Sequence, residues 1–177
     1  KRYPLLVFYH GAGEAGSNLA LIYNSSTAGG PAYFIEHSGW DTSGYTNPMD
    51  GLKYKFIIIS PQRPGGWGWQ ASQLNYHIKY MIDNYRVDTS RIYTTGISAG
   101  GAGVFGYNIH YDYDAGASVT PFYKPAASVP MAPANTSPNQ TQANVAVADS
   151  IRFWGLGGVS DGYGDVVSTM STLMNNT

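Results

Sequence analysis

The run Arg91-Ile92-Tyr93-Thr94-Thr95-Gly96-Ile97-Ser98-Ala99-Gly100-Gly101 decides how this chain is read. Arg91 to Thr95 is rich in the β-branched and aromatic residues that strands favour, and a glycine follows it. Beyond Ser98 the small residues Ala99, Gly100 and Gly101 open a stretch where Val104, Phe105 and Ile109 supply apolar positions, which predicts a helix from Ala99. A serine at the apex of strand, turn and helix, as Gly96-x-Ser98-x-Gly100, matches a nucleophile elbow. Small neighbours let the strained turn close, and the helix N-terminus points at the hydroxyl. The same residues also fit a glycine-rich turn whose serine caps the helix. The motif alone leaves both readings open.

Working outward, Leu5 to Tyr9 and Phe56 to Ile59 are short continuous apolar runs, the pattern of strands buried on both faces. Ala127 to Met131 and Ile151 to Trp154 add two more, each bounded by Gly, Pro, Ser or Asp. In Ser72 to Tyr85, the residues Leu74, Ile78, Met81, Ile82 and Tyr85 share one helical face, and a further helix is expected over Val166 to Met174. Strands alternating with helices at these lengths predict an α/β fold with a parallel sheet and right-handed crossovers. Ser38 to Leu52 and Tyr111 to Pro125 read as surface excursions, and Ala134 to Asn144 as a polar loop.

A second motif ends the first strand. His10-Gly11-Ala12-Gly13 is the form of loop that supplies one backbone N–H of an oxyanion hole, from Ala12, while the residue after the serine, Ala99, supplies the other. The rival reading is a dinucleotide fingerprint, Gly11-x-Gly13-x-x-Gly16 with Glu36 as the ribose acid. Ser25 to Pro31 breaks up the crossover that reading needs, and no β-branched run leads to Glu36. A triad acid is expected after a late strand, which points to Asp161, with Asp165 as its competitor. Trp67 and Trp69 follow the second strand and are candidate substrate contacts for a sugar or aryl group, or alternatively cover for the edge of the core.

The whole chain bounds these readings. Its 177 residues fit one domain. Ten Lys and Arg nearly cancel eleven Asp and Glu, leaving a formal charge of −1, which excludes a basic face for nucleic acid. No apolar run approaches the ~18 residues of a membrane helix. With no cysteine, disulfides, thiolate nucleophiles and Cys-held zinc are excluded, and no residue cluster favours any metal. Low charge with 15 Tyr and 22 Gly is the composition expected of a secreted or periplasmic protein. It carries no signal for oligomeric state.

Pro4 to Glu14, Ser60-Pro61-Gln62 with its following tryptophans, Tyr85 to Gly101 and Phe153 to Asp161 together resemble the bacterial esterase and predicted-peptidase branch of the α/β-hydrolases. Within that branch they are similar to polyhydroxybutyrate depolymerase-like and feruloyl or acetyl-xylan esterase-like proteins. The resemblance implies a mostly parallel sheet with helices on both faces, Ser98 as nucleophile, Asp161 as acid, and Ala12 and Ala99 as oxyanion donors. It implies cleavage of carboxylic esters, on small molecules or polysaccharides, without a cofactor. Ala15 and Gly157 stand where relatives commonly carry Arg and His. In the chain order of the fold the base is a His after the acid, and none follows Asp161. His10, His37, His77 and His110 read as structural or solvated, with His77 away from the apolar face of its helix. The expectation is therefore a fragment truncated at both ends, lacking the first strands and the C-terminal His segment. The alternative is a non-catalytic carbohydrate-binding or structural protein on a degenerate scaffold.

Overall fold

The computed structural model describes residues 1–24, 29–39, 41, 43–113, 116–121, 123–158, 160–162 and 164–176. Parts of the two expected excursions (40, 42, 114–115, 122) and of the interrupted crossover (25–28) lie outside the described residues. In chain order the first half holds β1 (Tyr3–Tyr9), a 3-10 turn at Ala12–Glu14, α1 (Ala20–Tyr23), α2 (Pro31–His37), β2 (Tyr45–Thr46), β3 (Lys53–Tyr54), β4 (Ile57–Ile59) and α3 (Ala71–Asn84). The second half holds β5 (Val87–Ile97), α4 (Ala99–Asn108), β6 (Tyr111–Asp112), β7 (Ala117–Ser118), β8 (Ala127–Met131), α5 (Gln140–Ala148), β9 (Arg152–Phe153) and α6 (Gly164–Asn175).

Five strands form one sheet in the order β4-β1-β5-β8-β9, and every pairing in it is parallel. β1 lies between β4 and β5, which is why its residues are apolar on both faces. Leu5, Val7 and Tyr9 point into a core shared with Trp69, with Leu74, Ile78 and Met81 of α3, and with Val104 and Tyr107 of α4. Phe8 points the other way, against Gly30 at the start of α2, so helices cover both faces. Tyr9, Gly96 and Pro130 stand side by side in register. The loops that follow these three strands therefore leave the same edge of the sheet at the same level. A bridge between Met131 and Leu156 brings the loop after β9 beside them.

α4 is buried along nearly its whole length. Its glycines are there because the helix sits on backbone: a Cβ on Gly100 would stand 1.9 Å from Tyr9 O, and one on Gly101 2.3 Å from Met131 O. No other residue type fits that approach.

Three readings need correction. The stretch Ala134 to Asn144 is not wholly a polar loop, because α5 begins at Gln140, capped by Asn139, whose side chain accepts from Gln142 N–H at 3.1 Å while Gln142 returns a bond to Asn139 N–H. Ala143 and Ala146 are its buried face, against Phe105, Ile109 and Met170. His77 does not lie away from the apolar face, since its ring packs beside Tyr9 and Trp69 with centroids 5.9 and 6.0 Å apart. Tyr85 is not on the buried face of α3 but exposed at its C-cap. The dinucleotide reading, set aside on sequence, is also incompatible with the chain path, because no helix opens at Gly16, α1 has four residues, and Glu36 sits inside α2.

Candidate active site

Ser98 occupies the tight corner between β5 and α4 at φ 55°, ψ −117°. A non-glycine residue there costs about 1–3 kcal/mol, and such strain persists only where the surroundings over-determine it. Here Ser98 N–H donates to Met131 O at 3.0 Å, while Ser98 O accepts from Ala102 N–H at 2.9 Å and Ala134 N–H at 3.3 Å. Its hydroxyl makes no capping bond although the residue holds the N-cap position. That removes the capping alternative. Among the described residues Ser98 Oγ has no hydrogen-bond partner, so the corner presents an uncommitted hydroxyl at the end of the sheet.

The turn after β1 lies directly against this corner. A Cβ placed on Gly11 would be 3.6 Å from Ser98 Cβ and 3.6 Å from Ile97 O. His10 is buried below it with both ring nitrogens engaged: Nδ1–H donates to Gly11 O at 2.6 Å and Nε2 accepts from Arg63 N–H at 3.0 Å. One neutral tautomer satisfies both bonds. Burial pushes the His10 pKa below its usual value, the Gly11 carbonyl opposes that, and Arg63 adds to it. Trp69 Nε1–H donates to His10 O at 3.0 Å. From the β4 side, Gln62 Nε2–H reaches Glu14 O at 3.0 Å and Asn18 O at 2.8 Å.

Glu14 is buried, and its Oε2 accepts from Gly11 N–H at 3.1 Å. Burial raises the pKa of its carboxyl, and the backbone amides of Gly11 and Gly29 pull it back down. The sequence reading passed over Glu14, Gln62 and Arg63 as individual residues. The available signal was Gly11-x-x-Glu14, the spacing at which a side chain reaches back to a turn's first amide.

A cavity of about 220 Å³ opens beside the corner, lined by Trp67, Trp69, Ala99, Tyr111, Tyr113 and Ala134 among others. The two tryptophans differ: Trp67 is 59% exposed, whereas Trp69 is 4% exposed and packs edge-on against Tyr9 and His10. Trp69 is thus part of the core that also floors the cavity. Asp161 is exposed in the loop after Leu156, where its Oδ2 accepts from Gly158 N–H at 2.7 Å. Asp165 is exposed in the first turn of α6. His37 bonds Tyr33 O and Asn24 Oδ1, and His110 pairs with Asp149 at 2.7 Å. Among the described residues no group of three His, Cys, Asp or Glu could hold a metal ion.

Solved structures to which this chain is similar include esterases. A thermostable esterase superposes with a TM-score of 0.54 at 19% identity, covering 97% of this chain and 52% of its own. A ferulic acid esterase superposes at 0.62 and 16% identity, covering 99% and 74%. A hyperthermophilic esterase from the archaeon Pyrobaculum calidifontis gives 0.52 and 16%, covering 99% and 62%. The chain has the α/β-hydrolase fold. It spans about half the length of the thermostable esterase, and its likeness to these proteins is one of fold. No family model matches the chain, and no curated protein matches it in sequence.

Proposed function

We propose that the chain carries the nucleophile of a serine esterase acting on carboxylic esters, with acyl groups linked to polysaccharide as the preferred class. The observation that carries this reading is Ser98 itself: a strained, uncommitted hydroxyl at a strand-to-helix corner, with the Gly11 turn packed against it. Ser98 Oγ attacks the ester carbonyl, and Ala12 and Ala99 N–H hold the developing oxyanion. The accounting of amides supports that pair. Ser98 N–H is spent on Met131 O, whereas Ala99, at the first position of α4, has no intrahelical acceptor for its own. Asp161 orients the imidazole of the base, which takes the serine proton, passes it to the leaving alkoxide, and then activates water against the acyl-enzyme.

That base is a histidine outside the 177 residues. His10, His37 and His110 are held by other partners, and His77 packs beside Tyr9 and Trp69. Trp67, exposed at the cavity mouth, is the contact for the sugar or aryl part of the substrate.

The test uses the full-length protein. Hydrolysis of p-nitrophenyl acetate and labelling by a fluorophosphonate should both vanish in Ser98→Ala, and Asp161→Asn should lower turnover far more than Asp165→Asn. Labelling that survives in Ser98→Ala would overturn the assignment. An unlabelled protein that still binds acetylated xylan would instead favour the non-catalytic binding scaffold.

A further inference from the structure

The turn after β1 commits most of its backbone donors internally. Glu14 N–H goes to Gly11 O at 3.3 Å, Ala15 N–H to Ala12 O at 3.2 Å, and Gly16 N–H to Arg63 O at 2.8 Å. Gly11 N–H goes to the carboxyl of Glu14. Among the described residues this leaves the amides of Ala12 and Gly13, both on exposed residues, as the turn's donors for an outside acceptor. Where those two point depends on the peptide planes before them, because the C=O and N–H of a trans peptide point in opposite directions.

Glu14 holds the first of these planes, the one that carries Ala12 N–H, and the peptide before it; the plane that carries Gly13 N–H is held by Ala15 N–H on Ala12 O. The Glu14 carboxyl takes the N–H of the His10–Gly11 peptide, and its own N–H takes the carbonyl of the Gly11–Ala12 peptide, the unit whose nitrogen belongs to Ala12. The side chain is itself kept in place by burial, and its backbone carbonyl is fixed by Gln62. Gly11, the residue being held, is also the residue against Ser98. A buried carboxyl is an expensive device for closing a three-residue turn. The 3-10 geometry needs only the backbone bonds, so the acid is there to fix the direction of what the turn leaves unpaired.

We infer that Glu14 is a positioning residue for ester cleavage, whose carboxyl holds the Gly11–Gly13 turn so that Ala12 N–H faces the oxygen that becomes negative at Ser98. This inference rests on the esterase reading. It acts through the amide of Ala12 and gives Glu14 no contact with substrate. An amide aimed at the transition-state oxygen and displaced by about 1 Å loses much of its worth, roughly 10- to 100-fold in rate.

The experiment compares Glu14→Ala and Glu14→Gln in the full-length protein, with p-nitrophenyl acetate kinetics, melting temperature and amide exchange at Gly11 read by NMR. Glutamine keeps an acceptor for Gly11 N–H, and alanine does not. The expected result is a kcat lowered roughly 10- to 100-fold in Glu14→Ala with KM within about twofold, recovery to within about fivefold of the parent in Glu14→Gln, and Gly11 exchange accelerated in the alanine variant alone. A Glu14→Ala kcat within twofold of the parent overturns the inference. So do equal losses in both variants, because a side chain that only fills space is not rescued by its hydrogen-bond acceptor. If the parent shows no Ser98-dependent turnover, the esterase reading falls, and the exchange data decide the rest: unchanged protection of Gly11 in Glu14→Ala overturns the clamp, and lost protection upholds it.

Discussion

Trp67 and Trp69 are two residues apart, and the structure makes opposite predictions for them. Replacing Trp69 with Ala removes a side chain that is almost fully buried between Tyr9, His10 and the middle of α4, where its Cβ approaches the position a Cβ on Gly103 would take. Large-to-small changes of that kind cost about 3–5 kcal/mol. The lost Nε1–H also leaves His10 O without its donor, although water entering from the cavity offsets part of that loss. A total near 4 kcal/mol is expected, and in a chain of 177 residues each kcal/mol lowers Tm by about 2–4 °C, giving a fall of roughly 8–16 °C. Trp69→Phe separates the two contributions, keeping a ring while losing the N–H, and should cost about 1–3 kcal/mol. Trp67→Ala, at an exposed position, should stay within about 0.5 kcal/mol of the parent while raising KM for a feruloylated or acetylated oligosaccharide roughly fivefold and leaving p-nitrophenyl acetate unchanged. Thermal melts followed by kinetics on both esters read all three variants. Equal melting-temperature losses for the two alanine variants, or a Trp69→Ala Tm within 2 °C of the parent, would refute the division of labour.

The other expectations follow from single contacts. Gly100→Ala should give insoluble or unfolded protein, checked by expression and circular dichroism, because its Cβ would stand 1.9 Å from Tyr9 O and both partners are backbone. His77 has its pKa pushed down to about 4 by burial, below the ordinary 6.5, so the unfolded chain binds the proton more readily. The stability contributed by neutral His77 is complete above pH 6.5 and is lost as pH falls toward 4, with about 2 kcal/mol gone by pH 5. Urea unfolding at pH 8 and pH 5 should show a smaller difference in His77→Leu than in the parent; an identical difference would remove His77 from the acid lability. Asn139→Ala removes the side-chain cap of α5 and should cost about 1 kcal/mol in the same urea assay.

The elements that could be read from sequence are those whose residue types answer a local demand. β1 and β8 lie between two strands and under helices, so their apolar runs carry the signature of burial on both faces. α3 shows Leu74, Ile78 and Met81 at helical spacing because a single face meets the core. The glycines around Ser98 are legible for a different reason: the helix sits on strand ends, and the clash is with backbone whatever the neighbouring side chains are. α5 failed the same test. Its buried face is two alanines among Asn, Gln, Thr and Val, too small to mark a stripe, and only Asn139-x-x-Gln142 announced it.

What the sequence could not show is which polar groups meet across long separations, and the candidate site depends on several of these meetings. His10 is neutral and fixed because Arg63 N–H, far along the chain, finds its Nε2, and because Gly11 O takes its Nδ1–H. Neither bond has a residue pattern, since one partner is always backbone. The same holds for Met131 O under Ser98 N–H, and it determines what the corner can do. With that amide committed, the next one, on Ala99 at the first position of α4, has no intrahelical acceptor, and the donors remaining in the Gly11 turn are those that Glu14 and the backbone do not consume. The motifs locate the two loops. The proposed oxyanion site rests on the allocation of individual N–H groups, which three-dimensional contacts alone decide and no residue pattern announces.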